Sequence, residues 1–390
     1  MPFVDYTPVE VPNGWTLPWR LVDGVKVMHL VAEPVRHRFA PGLEANLWGY
    51  NGRVHGPVLE LVEGDRVRVY VTNRLGQPTT VHWHGLFVPN GMDGVGGLTQ
   101  RSIEPGETFV YEFELRQHGT FLYHSHHDEM VQIAMGMIGA IVVHPRRPTE
   151  PPPDRDFVYV LAEWALPVGA ERVDPNEMKD FNVLTFNATV YPATAPMVVR
   201  TGQRVRIRLG NLSAMDHHPI HLHGHAFEVV GTDGGEVPKG ARWPETSVLV
   251  ATGQTRTIEF VADNPGDWAM HCHMTHHVMT QMGHDVPNLT DVDPSLFDAK
   301  LGEVVPEYLA MGRDPAAMAA ETDVTMPKNS QPMVGGEGPF GYVTMGGMVT
   351  VLKVRDGIAD YGDPGDYVHP EGTVARPATA AELQRDGIEG

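Results

Sequence analysis

Arg204-Val205-Arg206-Ile207-Arg208-Leu209-Gly210-Asn211 alternates apolar and polar residues and stops at an asparagine. Residues Arg66-Val67-Arg68-Val69-Tyr70-Val71-Thr72-Asn73 do the same, with the stop again at asparagine. Side chains alternate faces along an extended chain, so each run reads as a half-buried strand. The likeness continues outward. His82-Trp83-His84-Gly85 follows the first strand and His221-Leu222-His223-Gly224 the second. Gly106 to Gly119 is thirteen residues, as is Gly253 to Gly266, and a histidine comes five later in both, His124 and His271. A long internal repeat of short strands without helical periodicity predicts two copies of one all-β unit, each a Greek-key barrel or sandwich.

The remaining boundaries follow from composition. Residues 1–145 form the first unit, with a first strand at Val25–Leu30 and others at Phe109–Leu115, Gly119–Tyr123 and Ile138–Val143. Residues 146–156, rich in proline, read as a stiff linker. The second unit spans 157–356, interrupted by a Met-, Pro- and Gly-rich insertion at 283–340 before a last strand at Met348–Val354, and 357–390 read as a polar tail. At 390 residues the length suits two domains. A formal net charge of -20 disfavours nucleic acid and anionic membrane surfaces as partners. No apolar run reaches the roughly 20 residues of a membrane span. Nothing at the N-terminus has the layout of a signal peptide; the expectation is a mature periplasmic or extracellular chain, with a cytoplasmic one as the alternative.

The chemistry is concentrated in 21 histidines and a single cysteine. Cys272 stands in His271-Cys272-His273-Met274-Thr275-His276-His277, with Met282 five residues beyond His277. Thiolate, imidazole and a distant thioether are the ligands of a mononuclear blue-copper site. Alternation turns His271 and His273 away from the face carrying Cys272, so one strand end can serve two different metal sites. The repeat shows where the mononuclear site is missing. Ser125 stands opposite Cys272, Met130 opposite His277 and Thr79 opposite His218, so only the second unit holds it. The paired histidines are kept in both copies: His82, His84, His124 and His126, and His221, His223, His271 and His273. Eight imidazoles are too many for one ion and predict a polynuclear centre.

These motifs resemble the multicopper oxidases, the laccase-like cupredoxin family, over residues 45–285 and the strand near 348. The resemblance implies type 1 copper on His218, Cys272 and His277 with Met282 axial. It implies type 2 copper on His82 and His221, and a type 3 pair on His84, His124, His126, His223, His271 and His273, four coppers per functional unit. Gln281 stands where these enzymes usually have glycine before the axial methionine, and Met345 is a rival axial ligand. Thr275 replaces an acidic residue of some members. Asp93, in an Asp-Gly pair after His82-Trp83-His84, is the candidate proton donor; a plain turn residue is the competing reading. With two domains the chain resembles the small laccases, which implies a homotrimer. The activity implied is oxidation of phenols, aromatic amines or metal ions such as Cu(I) and Fe(II), coupled to reduction of dioxygen to water. A copper nitrite reductase-like enzyme and a non-enzymatic copper-binding or resistance protein are the alternatives. Ten of the 19 methionines lie from Met270 onward, which keeps Cu(I) open as a substrate.

Overall fold

The structure, a computed structural model, describes residues 5–279, 300, 329 and 335–389. The two alternating runs are strands Arg66–Asn73 and Arg204–Asn211. Val67, Val69 and Val71 are buried in one core, and Val205, Ile207 and Leu209 in another. Each strand occupies the same place in its half. Arg66–Asn73 runs parallel to Val25–Ala40 and antiparallel to Thr108–Glu114. Arg204–Asn211 runs parallel to Arg155–Trp164 and antiparallel to Thr255–Val261. The second sheet repeats as well. In the N-terminal half Gly119–His124 pairs with Ile138–His144, which runs parallel to Leu59–Val62. In the C-terminal half Gly266–Cys272 pairs with Val349–Arg355, which runs parallel to Met197–Arg200. The expected last strand therefore closes the sheet that carries Cys272, although the long Met-rich stretch intervenes.

A third core joins the halves. Phe39, Leu43 and Leu47 pack there with Val158, Val160 and Trp164. Beside it Arg208 pairs with Asp156 through two 2.8 Å hydrogen bonds, both side chains almost fully buried. Arg208 also donates to Thr120 Oγ1 at 2.9 Å, tying the strand that ends in His124 to the C-terminal half. Buried charges need such complete pairing to offset their desolvation.

The polar segment after Asp356 is largely exposed, and its first dozen residues are tied to the C-terminal half. Lys353 pairs with Asp363 at 2.6 Å, Arg200 donates to the Ile358 carbonyl, and the Tyr367 N–H donates to Asp267. The tail also ends in a short helix, Ala380–Asp386, whose Thr379 and Glu382 form a capping box. Most of the predicted insertion lies outside the described residues; a hairpin, Gly336–Gly338 with Gly341–Val343, straddles its expected end at 340. No helix among the described residues is long and apolar enough to cross a membrane.

Candidate copper centres

Cys272 ends the strand Gly266–Cys272, fully buried and facing His218 and His277. His218 comes from the start of the neighbouring strand His218–Leu222, in which Ile220 lies opposite Cys272. His277 sits on the short 3-10 turn Thr275–Val278 that follows. Cys272 Sγ is 3.7 Å from His218 Nδ1 and 3.5 Å from His277 Nδ1, and the two nitrogens are 3.3 Å apart. The centre of such a triangle is about 2 Å from each donor, an ordinary metal–nitrogen distance. Burial pushes the Cys272 thiol up to about 12 and His218 down to about 3. Both effects arise because the pocket disfavours any charged group. A neutral imidazole is ready to bind a cation, while the thiol yields its proton only to one.

The outer nitrogens are also held. His218 Nε2 is 2.6 Å from Ser213 Oγ, and His277 Nε2 is 3.3 Å from the half-exposed Asp216 carboxylate. Both rings are buried, and Asp216 is the group that connects His277 to solvent.

His271 and His273, on either side of Cys272, point the other way. His271 lies opposite His221 in the strand register, and its Nε2 is 3.0 Å from His223 Nε2. Ring centroids in this set of four are 4.8 to 5.7 Å apart. The N-terminal set repeats it. His82 bridges His124, His84 Nδ1 is 3.2 Å from His124 Nε2, and centroids from His82 to His84, His124 and His126 are 5.3 to 5.7 Å. Donors of His82, His84 and His124 lie within 4.8 Å of one another. The outer contacts match too. His82 Nδ1 bonds the Asp93 carbonyl and His221 Nδ1 the Thr246 carbonyl, both at 2.7 Å. His124 bonds the Ser125 carbonyl and His271 the Cys272 carbonyl, both at 2.8 Å. A ring whose Nδ1–H donates to a carbonyl leaves Nε2 bare, as a metal ligand requires. Burial lowers His84, His223 and His271 and takes His124 down to about 3, so these imidazoles are neutral at neutral pH.

The two sets do not meet. Among the described residues no ring contact joins the N-terminal four to the C-terminal four, and His84 lies against the turn at Gly253 instead, where an added Cβ would be 3.5 Å from its Cε1. His273 is exposed and His126 partly so.

In the N-terminal half the place of the cysteine pocket is filled. Thr79 Oγ1 and Ser125 Oγ both donate to Gln132 Oε1, at 2.7 and 2.5 Å, and Gln132 Nε2 donates to the Pro78 carbonyl at 2.8 Å. Thr79 and Ser125 match the expected counterparts of His218 and Cys272. Met130 does not match His277: it is exposed on the surface of the helix Glu129–Ala134, and the fully buried Gln132 takes that position. Residue counting fails because the helix Glu129–Ala134 stands where the C-terminal half has only the short 3-10 turn Thr275–Val278.

Asp93 accepts from His82 through its carbonyl, and its carboxylate stands 3.5 Å from the same ring. Met282 lies outside the described residues. Met345 is half-buried next to a segment whose Met348 carbonyl accepts from Cys272 N and whose Met348 N–H donates to the His277 carbonyl. Sequence reasoning missed Ser213, Asp216, Gln132 and Glu129, whose carboxylate is 3.6 Å from His126 Nε2. The alignment of Asn73 with Asn211 hints at the first two alone, because Asn211 anchors the loop carrying Ser213 and Asp216.

Two family models described as multicopper oxidase match residues 32–148 and 167–291. Copper resistance protein A of Escherichia coli is 32% identical over 241 residues, which is 50% of this chain and 40% of that protein. Blue copper oxidase from Nitrosomonas europaea superposes with a TM-score of 0.61 at 26% identity, covering 84% of this chain and 85% of that one. The multicopper oxidase mgLAC superposes with a TM-score of 0.63 at 26% identity, covering 87% and 91%. The chain spans about two fifths of the length of the curated relatives it matches. With cupredoxin-like halves, a buried Cys272 between two imidazoles and matching models across both halves, the chain belongs to the multicopper oxidase family, whose cofactor is copper.

Proposed function

We propose that the protein is a laccase-like oxidase that takes single electrons from a small reducing substrate and passes them to dioxygen, giving water. The carrying observation is that one strand end presents Cys272 to His218 and His277 on one face and His271 and His273 to a four-imidazole set on the other. In this reading His218, Cys272 and His277 hold type 1 copper. His82 and His221 hold type 2 copper, and His84, His124, His126, His223, His271 and His273 hold the type 3 pair. Bound copper supplies the one-electron and dioxygen chemistry. The protein fixes the tautomers of His82, His124, His221 and His271 through backbone carbonyls, and it excludes water from Cys272. Asp93 is the proton donor at its carboxyl group, beside His82. The two units run over 1–145 and 157–356, joined by 146–156.

The active species in this reading is a homotrimer. Each chain's N-terminal imidazoles are completed by a neighbour's C-terminal set, since the two sets lie apart within one chain and His273 is exposed. Head-to-tail contacts that close give a ring. Exposed Phe87 and Leu98 beside the His82–His84 loop, and Leu249 and Met274 beside the C-terminal set, suit such an interface.

Oxygen uptake, measured with a substituted phenol, Cu(I) and Fe(II) in turn, tests the activity and ranks the substrate classes. Nitrite consumption without oxygen uptake, or neither, would remove the reading. Mixing a His82→Ala/His126→Ala chain with a His221→Ala/His273→Ala chain tests the ring. Co-assembly should restore part of the activity, and mixed oligomers without any recovery would rule out a shared site.

A further inference from the structure

The loop 213–217 carries the outer partners of both imidazoles beside Cys272, Ser213 for His218 and Asp216 for His277. Asn211 holds one side of it: Nδ2 donates to the Asp216 carbonyl at 2.9 Å, and Oδ1 accepts from Ser213 N at 2.8 Å. The N-terminal half has the same anchor, with Asn73 Nδ2 donating to the Gln77 carbonyl and Oδ1 accepting from Leu75 N.

The second anchor is not shared. Glu163, on the strand Arg155–Trp164, is only 4% exposed, and its Oε1 accepts from Met215 N at 2.5 Å and Asp216 N at 3.1 Å. Its Oε2 is buried without a hydrogen-bond partner among the described residues. The strand register sets Asn211 beside Leu161 and Asn73 beside Ala32. Two residues further along each strand stand Glu163 and Pro34. A carboxyl group therefore reaches under the loop only in the half with the cysteine pocket. A buried acid in an apolar sheet costs stability unless it is neutral or fully bonded. Burial, and then the Asp216 carboxylate, do push Glu163 well above the usual carboxylate range, so it is a neutral acid at neutral pH.

We propose that Glu163 is a positioning residue for the His218–Cys272–His277 pocket: its carboxyl group clamps the Met215–Asp216 backbone so that Ser213 and Asp216 fix the two imidazoles. The inference rests on the reading of this pocket as the type 1 copper site. Outer partners of this kind orient ligands and tune the metal they hold.

Amide exchange and copper spectroscopy on the full chain test it together. In wild type the Met215 and Asp216 amides, on an otherwise exposed loop, should exchange roughly tenfold or more slowly than Ala214, as loss of about one hydrogen bond's worth of protection implies. Glu163→Gln keeps an acceptor oxygen and should keep that protection, the copper–thiolate band and the type 1 reduction potential. Glu163→Leu should lose the protection and shift both band and potential. A Glu163→Leu protein with wild-type exchange, band and potential would overturn the proposal. If that variant does not fold, the wild-type comparison decides: equal exchange at Ala214, Met215 and Asp216 overturns the clamp. A copper-loaded wild type with no blue band would instead refute the copper reading, with the exchange result still standing by itself.

Discussion

Two pockets occupy equivalent places in the two halves, and they solve one packing problem with opposite chemistry. In the C-terminal half His218, Cys272 and His277 leave a gap between three donors with ordinary metal–ligand spacing. In the N-terminal half Thr79, Ser125 and Gln132 fill it with short hydrogen bonds and satisfy the Pro78 carbonyl as well. One is a site that requires a cation to be stable as a thiolate; the other is a closed polar plug that requires nothing. The difference teaches that a duplicated fold keeps its sheets and its four-histidine face while a single pocket is switched by three side chains.

The largest expected effect comes from removing the one soft ligand. Cys272→Ser should abolish the blue copper–thiolate absorption and with it oxidase turnover, while copper bound by the eight paired imidazoles is retained. Absorption spectra with metal analysis check this, and a surviving blue band would erase the contrast between the pockets.

Acidification should loosen both halves next. His218 in the folded, copper-free chain has its value lowered to about 3, against about 6.5 when unfolded. A histidine depressed by folding binds more protons unfolded than folded. The stability of the copper-free protein is thus intact above about pH 6.5 and falls as pH drops from there toward 3. Amide exchange should show loosening around Cys272 over that range, and around Ser125 as well, because its neighbour His124 is also lowered to about 3. Unchanged exchange around both Cys272 and Ser125 down to about pH 3 would show that the buried histidines are not the cause.

Asn73→Ala and Asn211→Ala remove matching anchors and should each cost about 2–3 kcal/mol in denaturant unfolding, since each strips three hydrogen bonds, two of them buried. Only Asn211→Ala should also move the copper–thiolate band, because only its loop holds His218 and His277. The smallest effect is expected for Gln132→Met, which keeps volume but strands Thr79, Ser125 and the Pro78 carbonyl. A loss of about 1–2 kcal/mol with an unchanged blue band is the expected outcome.

Much of the fold was legible because strand alternation and the repeat are local properties of the chain. Val67, Val69 and Val71, and their counterparts Val205, Ile207 and Leu209, lie in the cores as their period requires. The opposite facing of Cys272 and its neighbours His271 and His273 followed from the same period. Counting failed at Met130, where the helix Glu129–Ala134 stands in place of the 3-10 turn Thr275–Val278 and brings Gln132 inward. After Asp356 the polar composition gave no sign of the pairing of Lys353 with Asp363 and of Tyr367 with Asp267. Composition cannot tell a solvated charge from one that has a partner across the surface.

The sequence by itself determined the two β units, the single thiolate position and the four paired histidines, because period, repeat and donor chemistry are written residue by residue. Only the tertiary structure decided that both imidazoles beside Cys272 are buried, that Asp216 is their link to solvent and that Glu163 lies beneath the loop. It alone shows that the two four-histidine sets stand apart within one chain. These depend on distances between residues far apart in sequence, 52 positions between Glu163 and Met215, and such distances exist only once the sheets have packed.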